Sequence, residues 1–188
     1  MELERGMDKT LNRNIDDNDF HTWSQDDPRY NVTEAFDAEN YPDANYRYLR
    51  DNGCYIVALA IMLRRFGIEK ESDYQKFNPM IFLERAKKAG CFSKGADFIS
   101  ASISKLYPIE QFECIPYFRE ALIESYKKGY ASILMVPGVK GPYHYIVPDE
   151  ILDDDVSVID NKFGKTLVSQ YEKVYYIVHF RYMDGKDK

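Results

Sequence analysis

The chain has 188 residues, of which 45% are hydrophobic and 15% aromatic, and it carries a formal net charge of −6. This length predicts one domain with a substantial core, and the acidic balance gives no support to a nucleic-acid partner. The three cysteines are widely spaced, which fits neither a disulfide framework nor a zinc-binding pattern.

Residues 1–44 are polar and acidic and contain few aliphatic side chains. Such a composition predicts a partly disordered lead-in, followed by a domain of residues 45–188. Aromatic residues scattered through the lead-in, such as Trp23 and Phe36, indicate that part of it lies against the domain. No apolar signal region is present at the start, so the sequence favours a cytoplasmic protein.

The most helix-like apolar stretch spans the thirteen residues 54–66, between two glycines. Its apolar side chains cover nearly every face, which is typical of a helix buried inside a domain. It is too short to cross a bilayer, which takes about 20 apolar residues, so we expect no membrane span. Cys54 falls in the first helical turn, where unpaired N–H groups favour a thiolate. Position alone does not make Cys54 a nucleophile, because a cysteine beside an apolar run is more often an ordinary core residue.

The remaining pattern places helices first and strands afterwards. A second helix is predicted to begin at Asn78 and Pro79 and to end at Gly90. Further helices are predicted near residues 98–106 and over 117–128, with a short strand at 112–115. Strands are predicted over residues 131–136, 143–147, 156–160 and 174–182. Helices followed by an antiparallel sheet form the α+β pattern.

A thiol nucleophile needs a base near its sulfur and a third group that orients the base. His21 lies in the lead-in and His179 in the last strand, whereas His144 begins a strand directly after a loop. Asp160 ends the next strand, so a hairpin would bring it to the same end of the sheet as His144. Taken singly, His144 is more often a structural strand histidine and Asp160 a turn residue, but their joint placement with Cys54 favours a catalytic site. Three scattered histidines give no ligand set, so we expect neither a metal nor another cofactor.

Four short stretches, taken in order, resemble the papain-like cysteine peptidases. Within that superfamily they are most similar to the bacteriocin-leader-processing (double-glycine) type and its stand-alone bacterial relatives. The likeness runs over about residues 46–180 in order and spacing. The stretches resemble the family's cysteine helix, the strand before its histidine, its histidine strand and its aspartate strand, at residues 53–67, 128–136, 142–147 and 156–164.

The resemblance implies a papain-like α+β fold in which N-terminal helices pack on a C-terminal antiparallel sheet. It implies that Cys54 is the nucleophile, His144 the general base and acid, and Asp160 the residue that orients the histidine. The partner would then be a peptide or protein substrate, whose peptide or isopeptide bond is cleaved through an acyl-enzyme on Cys54.

Two positions depart from the family's pattern. Tyr55 follows the cysteine where the family usually has a small residue, and Tyr48 stands where the family carries a glutamine that binds the oxyanion. Asn45, Asn52 and the hydroxyl of Tyr48 are the candidate oxyanion donors in its place. Losing one such donor typically costs about 10²–10³ in rate. Two alternatives therefore stay open: a catalytically inactive binding module with the same groove, and an acyltransferase or transglutaminase with the same triad. The sequence gives no indication of the oligomeric state.

Overall fold

A computed structural model of the protein describes residues 19–68, 77–138 and 141–183. Within these ranges the chain forms four α-helices and six β-strands, together with short 3₁₀ turns. The helices are α1 (Leu49–Asn52), α2 (Cys54–Arg65), α3 (Pro79–Lys88) and α4 (Arg119–Lys127). The strands are β1 (Ile109–Pro116), β2 (Ala131–Pro137), β3 (Tyr143–Ile151), β4 (Val156–Asp160), β5 (Gly164–Leu167) and β6 (Tyr176–Tyr182).

The strands form one antiparallel sheet in the order β1-β6-β2-β3-β4-β5. Successive residues of a strand point to opposite faces of the sheet. In this sheet, hydrophobic side chains cover both faces. Val147 belongs to the larger core cluster, which contains the apolar residues of α2. Its neighbour Ile146 belongs to a second cluster, which contains Leu122 of α4. The fold is therefore of the α+β class.

The helix α2 is the centre of the larger cluster. All of its residues from Ile56 to Arg64 are buried, and each large apolar side chain buried there contributes about 1.5–3 kcal/mol. The helix ends at Arg65, and Gly67 follows with a φ of 64°, a left-handed turn that glycine adopts without strain. Among the described helices, none has the length and apolar character needed to cross a membrane.

Part of the N-terminal segment is packed into the same core. Trp23 and Phe36 are fully buried and Tyr30 is nearly so, and all three join the cluster of α2. The packed unit therefore extends to the N-terminal side of residue 45, where the sequence predicts the domain to begin. The scattered aromatic residues indicate that part of this segment lies against the domain, but without periodicity they do not show where the packed part begins. Residues 1–18 of the predicted lead-in lie outside the described residues.

Two features of the sheet differ from the pattern predicted from the sequence. Pro148, which follows the predicted strand 143–147, lies within β3, where the register shifts between Pro148 and Glu150. A bulge accommodates a residue that has no N–H for the ladder, and the strand then continues. The four-residue strand β5 is too short and too polar to stand out in the sequence.

Candidate active site

His144 and Asp160 are neighbours across the hairpin of β3 and β4. Asp160 pairs with Ile146, which lies two residues along β3 from His144. Because alternate residues share a face of the sheet, His144 and Asp160 occupy a diagonal pair on the same face. The two side chains meet there, with Nε2 of His144 and Oδ1 of Asp160 2.9 Å apart. The predicted hairpin thus brings both side chains to one end of the sheet.

The carboxylate of Asp160 is fully buried and its oxygens accept several hydrogen bonds. The backbone N–H groups of Lys162 and Phe163 donate to Oδ1 at 2.6 and 3.1 Å, and the hydroxyl of Tyr171 donates to Oδ2 at 2.5 Å. Burial opposes the charge of Asp160, but the hydrogen bond from His144 and these further donors hold its pKa below the usual value. A fixed, ionised carboxylate of this kind can orient an imidazole.

Cys54 is the first residue of α2 and is largely buried. The first N–H groups of a helix have no acceptor within the helix, so this position favours negative charge. Gly53 is required just before it, because a Cβ there would lie 2.5 Å from the carbonyl oxygen of Leu49 and 2.8 Å from its Cα. The short helix α1 can therefore lead directly into α2 only through a glycine.

The imidazole of His144 interacts with both Asp160 and Cys54. Burial lowers the pKa of His144, but side-chain hydrogen bonds with Asp160 and Cys54 outweigh it and raise the pKa to about 9. Because Nε2 is bonded to Asp160, Nδ1 is the ring nitrogen left for the thiol. The raised pKa favours the imidazolium, which is the state that stabilises a thiolate beside it.

Asn161 is a positioning residue that the sequence did not single out. Its side chain is fully buried, and Nδ2 donates to the carbonyl oxygen of Cys54 at 3.0 Å and to that of Tyr145 at 3.1 Å. The backbone carbonyl oxygen of Asn161 accepts a hydrogen bond from the backbone N–H of Gln25 at 3.3 Å. One residue thus joins the start of α2, the strand of His144 and the N-terminal segment. In the sequence it reads as an ordinary turn residue after Asp160, because no local pattern reveals these distant partners.

A pocket of about 500 Å³ lies beside Cys54. Tyr55 forms part of its wall: the ring lies 4.6 Å from that of Tyr145, and the hydroxyl lies 3.3 Å from Oγ of Ser100 and 3.5 Å from Oε1 of Gln111. Burial raises the pKa of Tyr55 to about 12, so its hydroxyl remains a hydrogen-bond donor. Although Tyr55 is large and directly follows the cysteine, a pocket remains beside Cys54.

The three candidate oxyanion donors differ in whether they line the pocket. Asn52, the last residue of α1, lines the pocket together with Cys54. Asn45 and Asn52 are both exposed, and the ring of Tyr48 lies under the guanidinium of Arg50 at 4.8 Å. Within the part of the pocket that the structure describes, neither Asn45 nor Tyr48 contributes to the lining. Asn52 is therefore the candidate that remains.

Tyr46 also lines the pocket, and nothing in the sequence distinguishes it from the other tyrosines nearby. Its hydroxyl donates to the carbonyl oxygen of Ala96 at 2.8 Å. Burial raises its pKa, and electrostatic interactions with Asp97 and Cys54 raise it further. Tyr46, Asp97 and Cys54 all line this pocket.

The other two histidines have different partners. Nδ1 of His21 lies 2.8 Å from Oδ1 of Asp19, and Nε2 lies 3.5 Å from Oδ1 of Asp149. Nδ1 of His179 lies 3.0 Å from Oγ of Ser132 inside the sheet, and burial lowers the pKa of His179. His144 is thus the histidine placed beside Cys54. In residues 19–68, 77–138 and 141–183, no group of three or more ligating side chains could hold a metal ion.

Comparisons with known proteins give no relative from which a role could be transferred. A scan against models of protein families finds no match. Searches of curated proteins and of solved structures also find no match.

Proposed function

We propose that the protein is a papain-like thiol hydrolase, which cleaves a peptide or isopeptide bond through an acyl-enzyme on Cys54. The observation that carries the proposal is the His144–Asp160 pair, whose Nε2 and Oδ1 lie 2.9 Å apart, together with the interaction of Cys54 with the same imidazole, which helps to raise the pKa of His144. The placement of these residues supports it, with the cysteine at the start of a central helix and the other two on adjacent strands of an antiparallel sheet. A buried Cys–His pair with an oriented base is the arrangement that thiol catalysis requires.

In the acylation step, the thiolate of Cys54 attacks the carbonyl carbon of the scissile bond and forms a C–S bond. The imidazolium of His144 donates its Nδ1 proton to the leaving nitrogen as the C–N bond breaks, and the amine departs. The raised pKa of His144, about 9, keeps this proton available at neutral pH. Asp160 holds the ring in place through Nε2 and stabilises the imidazolium.

In the deacylation step, His144 is neutral and takes a proton from water. The resulting hydroxide equivalent attacks the thioester carbonyl, a C–O bond forms and the C–S bond breaks. The carboxylic product leaves, and the thiolate–imidazolium pair is restored.

The oxyanion of each tetrahedral intermediate needs preorganised donors. The backbone N–H of Cys54 is one donor, since it lies at the start of α2. The carboxamide of Asn52 is the second, because it lines the same pocket. Replacing Asn52 with alanine is then expected to lower kcat by about 10²–10³ with little change in KM.

A second candidate function is a catalytically inactive module that binds a peptide in the same groove. The observation in its favour is Tyr55, a large residue directly after the cysteine, whose ring and hydroxyl contact Tyr145, Ser100 and Gln111 in the pocket wall. An acyltransferase or transglutaminase would use the same three residues and differ only in the acceptor of the acyl group.

A peptide library analysed by mass spectrometry tests the proposal. The wild-type protein is expected to cleave some members and, after acid quenching, to carry an acyl group on Cys54. Asp160→Asn should lower kcat/KM by about 10²–10⁴, because the imidazole loses its orienting charge. Cys54→Ala is the inactive control. Absence of cleavage, with the same peptides still bound by Cys54→Ala, would instead support the binding module.

A further inference from the structure

The described lining of the pocket beside Cys54 combines aromatic side chains with the carboxylate of Asp97. Its aromatic lining includes Tyr46, Tyr55, Phe98 and Tyr145. Apart from the thiol itself, Asp97 is the one charged residue among the described residues of the lining. Its side chain is exposed. An acidic group at the edge of an aromatic pocket favours a cationic ligand.

The carboxylate of Asp97 is available for such a ligand. Within the described ranges no side chain or backbone group donates a hydrogen bond to it, and no cation pairs with it. Its backbone is held in place instead: its N–H donates to Oγ of Ser93 at 3.2 Å, and its carbonyl oxygen accepts from the N–H of Ser93 at 2.9 Å. The loop is thus fixed, and Asp97 lies in the lining of the pocket with its side chain exposed to solvent.

Asp97 and Cys54 line the same pocket, so a substrate held at the thiol also lies near the carboxylate. Both Asp97 and Cys54 add to the rise in the pKa of Tyr46, which burial begins. All three residues line the same pocket. Lysine and arginine carry long cationic side chains, so a residue next to the scissile bond can place its charge within this pocket.

We propose that the pocket binds a basic side chain of the substrate, on one of the two residues before the scissile bond, with Asp97 as its counter-ion. The aliphatic stem of lysine or arginine packs against the aromatic rings while its charged end meets the carboxylate. This inference rests on the proposed hydrolase function, and it names the substrate class of that site. The net charge of −6 of the chain favours the same class of substrate by attracting basic peptides.

Charged thiol reagents test whether Asp97 attracts cations to the pocket, and they require no peptide substrate. Cationic 2-aminoethyl methanethiosulfonate and anionic 2-sulfonatoethyl methanethiosulfonate both modify thiolates, and their rates at Cys54 are followed by mass spectrometry. All variants carry Cys114→Ser, since Cys114 is exposed and lines the same pocket. We expect Asp97→Asn to lower the ratio of cationic to anionic rates about tenfold. Asp154→Asn, which removes the same charge from an exposed turn, should leave the ratio unchanged. A ratio that Asp97→Asn does not alter would overturn the proposal.

Matched peptides test the binding of the side chain itself. For a peptide that the wild-type protein cleaves, lysine or norleucine is placed at each of the two positions before the scissile bond. The ratio of kcat/KM for lysine over norleucine should exceed one at one position and fall about tenfold in Asp97→Asn. Equal values for both peptides at both positions would refute the basic-residue preference while leaving the hydrolase intact. The opposite outcome is also informative. If Asp97→Asn changes the ratio of reagent rates but the protein cleaves no peptide, the cation-binding pocket is supported and the hydrolase function is refuted.

Discussion

Replacing Asn161 with alanine is expected to uncouple the nucleophile from its base. The substitution removes two hydrogen bonds, from Nδ2 to the carbonyl oxygens of Cys54 and Tyr145 at 3.0 and 3.1 Å. Each such bond contributes about 0.5–1.5 kcal/mol, so the free energy of unfolding should fall by about 1–3 kcal/mol, and the small cavity adds to this loss. The start of α2 and the strand of His144 are then free to move apart.

The reactivity of Cys54 reports this uncoupling separately from stability. At pH 7 and 20 °C, where the variant is still folded, we expect its alkylation by iodoacetamide to slow about tenfold, because the thiolate loses its close imidazolium. Asn78→Ala is the matched control. Asn78 also makes two side-chain bonds to the backbone, capping α3 through the N–H groups of Met80 and Ile81 at 3.0 Å.

The control should lose a similar amount of stability, about 0.5–2 kcal/mol, with wild-type alkylation at Cys54. Chemical denaturation gives the stabilities, and peptide mapping gives the alkylation rates. If Asn161→Ala is destabilised but alkylates as fast as Asn78→Ala, the positioning role of Asn161 is refuted.

Two further substitutions test the packing that surrounds the site. Gly53→Ala should lower the free energy of unfolding by about 1–3 kcal/mol, because its Cβ would lie 2.5 Å from the carbonyl oxygen of Leu49; an unchanged melting temperature in calorimetry would contradict this. Trp23→Ala should cost about 3–5 kcal/mol because the indole is fully buried, and denaturant titration would show no such loss if residues 19–44 were a dispensable lead-in.

The central helix and the middle of the sheet could be predicted from the sequence because they have strong local patterns. The apolar run after Gly53 has the length and faces of a buried helix, and α2 follows it closely. The alternating stretches 143–147 and 156–160 read as a hairpin, and this hairpin alone brings His144 to Asp160. Local periodicity and one turn were therefore sufficient to place that pair.

The features that escaped prediction depend on contacts between distant parts of the chain. The aromatic residues of the polar segment before residue 45 indicate contact with the domain, but only the fold shows that Trp23 and Phe36 are fully buried in the cluster of α2. Asn161 and Tyr171 act through buried hydrogen bonds, while their sequence surroundings resemble those of ordinary turn and loop residues. Likewise, no sequence pattern separates Asn52, which lines the pocket, from Asn45, which does not.

The pH dependence of alkylation at Cys54, compared between wild type and His144→Ala, tests the thiolate–imidazolium pair most directly. Both proteins carry Cys114→Ser, and buried Cys91 serves as the internal reference. An ordinary thiol is only about 1% ionised at pH 6.5, whereas the raised pKa of His144, about 9, keeps an imidazolium beside Cys54 in the wild type. The account predicts that His144→Ala reacts at least about tenfold more slowly at pH 6.5 and approaches the wild-type rate above about pH 9, where the imidazole is neutral. Superimposable curves for the two proteins across this range would contradict it.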